Sequence, residues 1–141
     1  MINLIRRIFA LLVQSNLITH GTYPRSASGA AAVAITLTAA AVAWTYGALY
    51  TVIVAATTAD CQLEGVTLEN FVGAASQGDV QIATGALGAE TVIATVQATA
   101  GSYEFRPSTF IPAGTRLTAH YRTSTAVADS VDVKLRVIEG F

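Results

Sequence analysis

Residues 130–138, "SVDVKLRVI", put Val131, Val133, Leu135 and Val137 on one side of an extended chain and Asp132, Lys134 and Arg136 on the other. In a strand successive side chains point to opposite faces, so this order makes one apolar face and one charged face. A strand of this kind folds only if a second layer covers its apolar side. The segment before it repeats the demand: over residues 116–122, Leu117, Ala119 and Tyr121 alternate with Thr118, His120 and Arg122. "PAGT" before that segment and "TSTAVADS" after it supply turns.

Earlier segments read in the same way. In "CQLEGVTL" Cys61, Leu63 and Val66 alternate with Gln62, Glu64 and Thr67, and Gly65 suggests a bulge or a close backbone approach. "DVQIAT" (79–84) and "ETVIATVQA" (90–98) flank "GALGA" and predict neighbouring strands around a glycine loop.

The run from 29 to 56, "GAAAVAITLTAAAVAWTYGALYTVIVAA", contains no charged residue and is long enough for a bilayer span. Its period argues otherwise. Val33, Ile35 and Leu37 lie opposite Ala34, Thr36 and Thr38, and Tyr50, Val52 and Val54 lie opposite Thr51, Ile53 and Ala55. Trp44, Tyr46 and Gly47 fall mid-run, where a spanning helix keeps few aromatics. The expectation is two strands joined near "WTYGA", with a membrane span as the lesser alternative.

Short strands separated by turns predict an all-β fold, an antiparallel β-sandwich of about eight strands and jelly-roll-like. At 141 residues the chain holds one such core. The expected organisation is an N-terminal apolar arm or short helix over 1–20, a linker over 21–29 rich in turn formers, and a sandwich domain over 30–141.

The arm "MINLIRRIFALLVQSN" places Ile2, Ile5, Phe9 and Leu12 on one stripe at helical spacing, widened by Leu4, Ile8 and Leu11, with Asn3, Arg6 and Arg7 on a narrow polar side. Its apolar run is short for a secretory leader and no A-x-A site follows closely. It can dock on its own domain, dock on another subunit, or lie in a membrane interface. Two arginines are thin for lipid attraction, and the second reading is preferred, with Ile2, Ile5, Arg6, Arg7, Phe9 and Leu12 as candidate partner contacts.

Charged residues make up 12% of the chain, about half the usual share of ~25%. A chain this poor in charge is expected to hide part of its surface in an assembly or a bilayer. A net charge of −1 gives no basic footprint for nucleic acid. Cys61 is the sole cysteine and reads as a small buried thiol. His20 and His120 stand far apart, so neither a metal site nor a cofactor is expected. "TGALGAE" lacks the Lys-Ser/Thr of a phosphate loop, and no G-x-S-x-G elbow is present. Asp129 and Asp132 read as solvated charges, and His120 as an exposed or interface residue. No enzymatic activity is expected.

"VQIATGALGAETVIATV" followed by "FIPAGTRLTAHYRTSTAVADSVDVKLRV" resembles a pattern in small virion proteins of tailed bacteriophages, in which I-x-x-G-x-x-G-x-E precedes "IPAGTR" and a final amphipathic strand. "WTYGALYTVIVAATTADCQLEGVTL" is similar to the aromatic-glycine entry of such domains. The resemblance covers residues 30–138, and the apolar arm departs from it. It implies a non-enzymatic β-sandwich of the virion, commonly oligomeric, a trimer being favoured. The function expected is a capsid decoration or cement protein that binds the major capsid protein or other virion subunits. The alternative is a tail, fibre or baseplate component that binds a receptor or glycan through Tyr103, Phe105 and Tyr121, rings that also suit the core.

Overall fold

The structure, a computed structural model, describes residues 19–24, 34–47, 49–73, 77–98, 103–105 and 109–139. The candidate arm contacts Ile2, Ile5, Arg6, Arg7, Phe9 and Leu12 lie outside the described residues. The described elements are β1 (Thr19–Tyr23), β2 (Ile35–Thr38), β3 (Thr51–Val54), β4 (Cys61–Val72), β5 (Gly78–Thr84), β6 (Thr91–Ala98), β7 (Tyr103–Phe105), β8 (Thr109–Ile111), β9 (Leu117–Thr123) and β10 (Ser130–Glu139). No helix occurs among the described residues, so none there is long and apolar enough to cross a membrane.

Two antiparallel sheets face each other. One runs β1-β10-β4-β7, with β2 also on β10 and β8 also on β4; the other runs β3-β9-β5-β6. β1 and β2 share one edge of β10: Tyr23 pairs with Leu135 and Ile35 with Val133. β7 and β8 likewise share one edge of β4, opposite residues 66–68 and 61–63. Counted as lanes, each sheet is four wide. The chain visits them in the order β1/β2, β3, β4, β5, β6, β7/β8, β9, β10, which is the jelly-roll path and gives the sandwich the topology expected from sequence.

β10 buries every second residue along its length. Val131, Val133, Leu135 and Val137 have no exposed surface, and they meet Leu63, Val66 and Leu68 of β4 and Val80, Ile82, Val96, Leu117 and Ala119 of the facing sheet in one core. The bulge expected at Gly65 is present, since the β4–β10 register slips between Gly65↔Arg136 and Leu63↔Val137. A second slip lies near Asn70, whose φ of 52° bends the strand end.

Three expectations need correction. β1 straddles the boundary of the expected arm and linker, because its backbone completes the free side of β10. Val52 and Val54 do not share a face: a register slip between them turns Ile53 into the core at 5% exposure and leaves Val52 at 42%. Asp129 is buried at 3% exposure, not solvated, because it closes one end of the sandwich. There its carboxylate accepts from Thr125 Oγ1 and its carbonyl accepts from Ala39 N. Gly73 stands against it: a Cβ there falls 1.6 Å from Asp129 Oδ1, and the φ of 126° favours glycine.

Thr57 closes the opposite end. Its amide donates to Thr115 O and its carbonyl accepts from Gly114 N. Its hydroxyl donates to Pro112 O at 2.8 Å and accepts from Thr115 N at 3.1 Å. Replacing Thr57, 4% exposed, by isosteric Val leaves Pro112 O and Thr115 N without that oxygen. Such a change is expected to lower unfolding free energy by about 1–3 kcal/mol. Gly73→Ala is expected to lower it at least as much, through both clash and strain. Urea unfolding of each variant checks both; an unchanged midpoint for Thr57→Val would show that the hydroxyl does not hold the turn.

Candidate functional site

The outer faces of the two sheets differ in chemistry. On the β10–β4 sheet the outward charges are matched: Arg136 Nε donates to Glu64 at 3.0 Å, Lys134 pairs with Glu69, and Asp132 accepts from Thr36 Oγ1 and Asn70 Nδ2. The two hydrogen bonds hold the Asp132 carboxyl below the usual carboxylate range, with Lys134 adding to them against a smaller burial effect. Threonines 36 and 38 are exposed beside them. The centre of this surface is charge-paired, while Phe110 of β8, 58% exposed opposite Gln62, and Val72 at the end of β4, 65% exposed, add apolar side chains toward its margins.

The outer face of the other sheet mixes polar side chains with exposed apolar and aromatic ones, the latter on its bordering loops and on Val52 and Val92. Antiparallel register sets its outward side chains in rows: Val52, Thr118, Ala83 and Val92; then His120, Gln81 and Thr95; then Arg122, Asp79 and Gln97. The connection from β2 to β3 folds over the last two rows. Trp44 N donates to Thr123 O at 2.7 Å, and the Trp44 backbone adopts a φ of 56°, a conformation rare for a large side chain.

Arg122 organises that connection. Its Nε and Nη2 donate to Asp79 Oδ2 at 2.8 and 2.6 Å, and its guanidinium lies 4.7 Å from the Tyr46 ring centroid and 5.5 Å from that of Trp44. With one face of the indole braced by the cation, Trp44 remains 45% exposed. The imidazole of His120 is edge-on to the rings of Tyr46 and Tyr50. Neither of its nitrogens, nor Tyr46 Oη, has a hydrogen-bond partner among the described residues. Burial pushes the His120 pKa down to about 4, against a smaller upward pull from Glu90. Burial likewise raises the phenols of Tyr46 and Tyr50.

Beside this cluster Leu49, Tyr50, Leu87, Gly88 and Glu90 line an open trough of about 370 Å³. Leu49 is 74% exposed and Leu87 70%. The trough's carboxylate is already matched: Glu90 accepts from Arg116 Nη1 at 2.8 Å and from Gly88 N at 2.8 Å, and these bonds hold its carboxyl below the usual range. The trough therefore offers apolar surface without an uncompensated charge.

The structure does not assemble a catalytic constellation from the residues considered in sequence. Asp129 is at one end of the sandwich and Asp132 on the outer face of the β10–β4 sheet. His120 is enclosed by aromatic rings rather than exposed. Among the described residues no three His, Cys, Asp or Glu gather as metal ligands, and Cys61 is fully buried. Tyr121, considered as an exposed glycan contact, is 2% exposed and part of the core, its phenol pushed up to about 12 chiefly by burial. The side chains of Tyr103 and Phe105 lie outside the described residues. Sequence reasoning missed the face formed by Trp44, Leu49, Val52, Leu87 and Val92. The available signal was Leu87, a large apolar residue within a glycine loop.

No protein-family model matches the chain, and no curated protein matches it. Among solved structures, a chain in the structure of infectious bursal disease virus, Gt strain, superposes with a TM-score of 0.45 at 11% identity, covering 89% of this chain and 32% of that one. A chain in the Gx strain structure gives a TM-score of 0.38 at 12% identity, covering 87% and 30%. The protein thus spans about a third of the length of the chains it matches. Its jelly-roll assignment rests on strand order and register, not on these superpositions.

The enclosed imidazole makes stability depend on pH. With a folded value of about 4 against 6.5 for the ordinary group, the unfolded chain binds a proton between those values and the folded chain does not. Stability is therefore expected to fall as pH is lowered from about 6.5 toward 4. The depressed carboxyls of Glu90 and Asp132 act at the lower end of that range and below. Urea midpoints of wild type and His120→Phe at pH 7 and pH 5 check this: the wild-type decrease should be larger, and equal decreases would place the titration elsewhere.

Proposed function

We propose that this chain is a non-enzymatic structural subunit of a virus particle, specifically a decoration or cement protein that binds the head shell of a tailed bacteriophage. The observation that carries the reading is the contrast between the two outer faces of the sandwich. One is charge-paired across β10 and β4, with exposed apolar side chains, among the described residues, only at its margins, Phe110 and Val72. The other gathers Trp44, Leu49, Val52, Leu87 and Val92, all more than 40% exposed, on the β3-β9-β5-β6 sheet and its bordering loops.

Exposed apolar side chains gathered on one face, with an aromatic anchor held from behind, fit a surface that another subunit covers. The low charge of the chain and its apolar N-terminal segment support the same reading. So does the resemblance of "IATGALGAE" and "IPAGTR" to small phage virion proteins. The partners on this reading are the major capsid protein or other virion subunits, including copies of this chain, and the location is the capsid surface. The receptor-binding alternative loses one of its three proposed aromatic contacts, since Tyr121 is in the core.

Leu49→Asp and Leu87→Asp place charge on side chains that the fold leaves exposed, so thermal unfolding should be nearly unchanged. Co-sedimentation with purified heads lacking this protein is expected to fall at least tenfold for the double variant. Deleting residues 1–20 also removes Thr19 and His20, the first two residues of β1, so the arm is tested with a chain that lacks only residues 2–12, for which loss of binding is expected. Head binding unaffected by either change, or label confined to tails in immunogold images, would overturn the reading.

A further inference from the structure

The trough and the N-terminal segment are each left without an account by the fold. Leu49 and Leu87 present open apolar surface around a cavity of about 370 Å³, near the lower end of the ~300–1,000 Å³ typical of pockets that enclose a ligand. Its Glu90 carboxylate is already bonded to Arg116 and Gly88, so an apolar occupant meets no unpaired charge there. The chain itself carries a segment of matching chemistry: Ile2, Ile5, Phe9 and Leu12 at helical spacing.

The described chain begins at Thr19, opposite Glu139 at the last residue of β10. That end of the sandwich also holds the start of β4, the 112–116 turn and the loop carrying Leu87, tied together by Arg116 donating to Gly85 O. β1 enters the domain at this end, and residues 1–18 precede it in the sequence. To reach its own trough the segment would have to turn back on β1, and between Met1 and Ile18 the one turn-forming pair is Ser15–Asn16, with no Gly or Pro. From Thr19 back to Phe9 is about ten residues, which span up to about 33 Å extended or about 15 Å as a helix. Either is long enough to leave one sandwich and reach another.

Resting on the structural reading above, we infer that the trough of Leu49, Tyr50 and Leu87 receives the N-terminal segment of a second copy of this chain, with Phe9 and Leu12 as the inserted side chains. The contact is head-to-tail: the segment of one copy meets the sheet face of the next. Such contacts close into rings when the rotation between copies allows it. The exposed face then has a defined occupant, and the apolar segment leaves water.

Two variants, each with one added cysteine, test this, because the native Cys61 has no exposed surface. A tagged Phe9→Cys chain is mixed with an untagged Leu87→Cys chain, oxidised mildly and run without reductant. A covalent species containing one chain of each kind is expected. Light scattering should show the wild-type oligomer reduced to monomer by deletion of residues 2–12 and by Leu87→Asp, with circular dichroism unchanged. A disulfide formed only within the Phe9→Cys/Leu87→Cys double variant overturns the inference by placing the segment on its own trough. No crosslink in either arrangement, oligomers unaffected by the deletion, or flotation of the full chain with neutral or anionic liposomes that needs residues 2–12, overturns it as well. Head binding reads out separately: crosslinked chains that ignore phage heads refute the functional reading alone, and head-binding chains that do not crosslink refute this inference alone.

Discussion

The burial of one face of β10 is the constraint from which the rest of the molecule follows. Val131, Val133, Leu135 and Val137 are inaccessible to water only because β4 flanks them in their own sheet and β9 and β5 lie across from them. Burying four such side chains stabilises the fold by roughly 1.5–3 kcal/mol each, before the entropy of ordering the chain is subtracted. The same alternation sends Asp132, Lys134 and Arg136 outward, where Thr36, Asn70, Glu69 and Glu64 match them. One strand thus sets both the core and the hydrated face.

The ends of the sandwich are closed by hydrogen bonds rather than by apolar packing. At one end Thr57 uses its amide, carbonyl and hydroxyl to hold the 112–115 turn, and Asp60 accepts from Ala113 N at 2.7 Å. At the other, Asp129 and Thr125 bind each other while Ser124 N donates to Gln77 O. Connections between sheets leave backbone donors and acceptors without strand partners, and buried ones need replacements. These side chains are therefore structural, although as carboxylates and hydroxyls in loops they resemble candidates for chemistry when read from sequence.

Opposite the hydrated face, the connection from β2 to β3 determines what the second sheet shows to its surroundings. Arg122, fixed by Asp79, holds Tyr46 and Trp44 by cation–π contact, and the aromatic rings enclose His120. Keeping an imidazole neutral in such a place is favourable at neutral pH and becomes unfavourable on acidification. The cluster therefore braces the connection from β2 to β3 over the sheet, with Leu49 and Leu87 open beside it.

The strands of the C-terminal half were legible because strict alternation in 117–123 and 130–139, and the glycine loop between β5 and β6, are local consequences of a pleated chain with one buried side. The bulge at Gly65 was legible for the same local reason. The reversed phase at Val52, the burial of Asp129 and the strand at Thr19–Tyr23 were not, because each depends on a partner distant in sequence: Thr118 of β9, Gly73, and β10. The exposed apolar side chains of the other sheet were equally hidden, since Trp44, Leu49, Leu87 and Val92 come from separate segments and the pattern of each segment alone does not show that they share a side of the fold. The sequence by itself determined a two-layer β fold, because alternating apolar residues must be buried on one side. Tertiary structure alone decided which outward face stayed apolar, because the register of four strands and the path of one connection brought those side chains together.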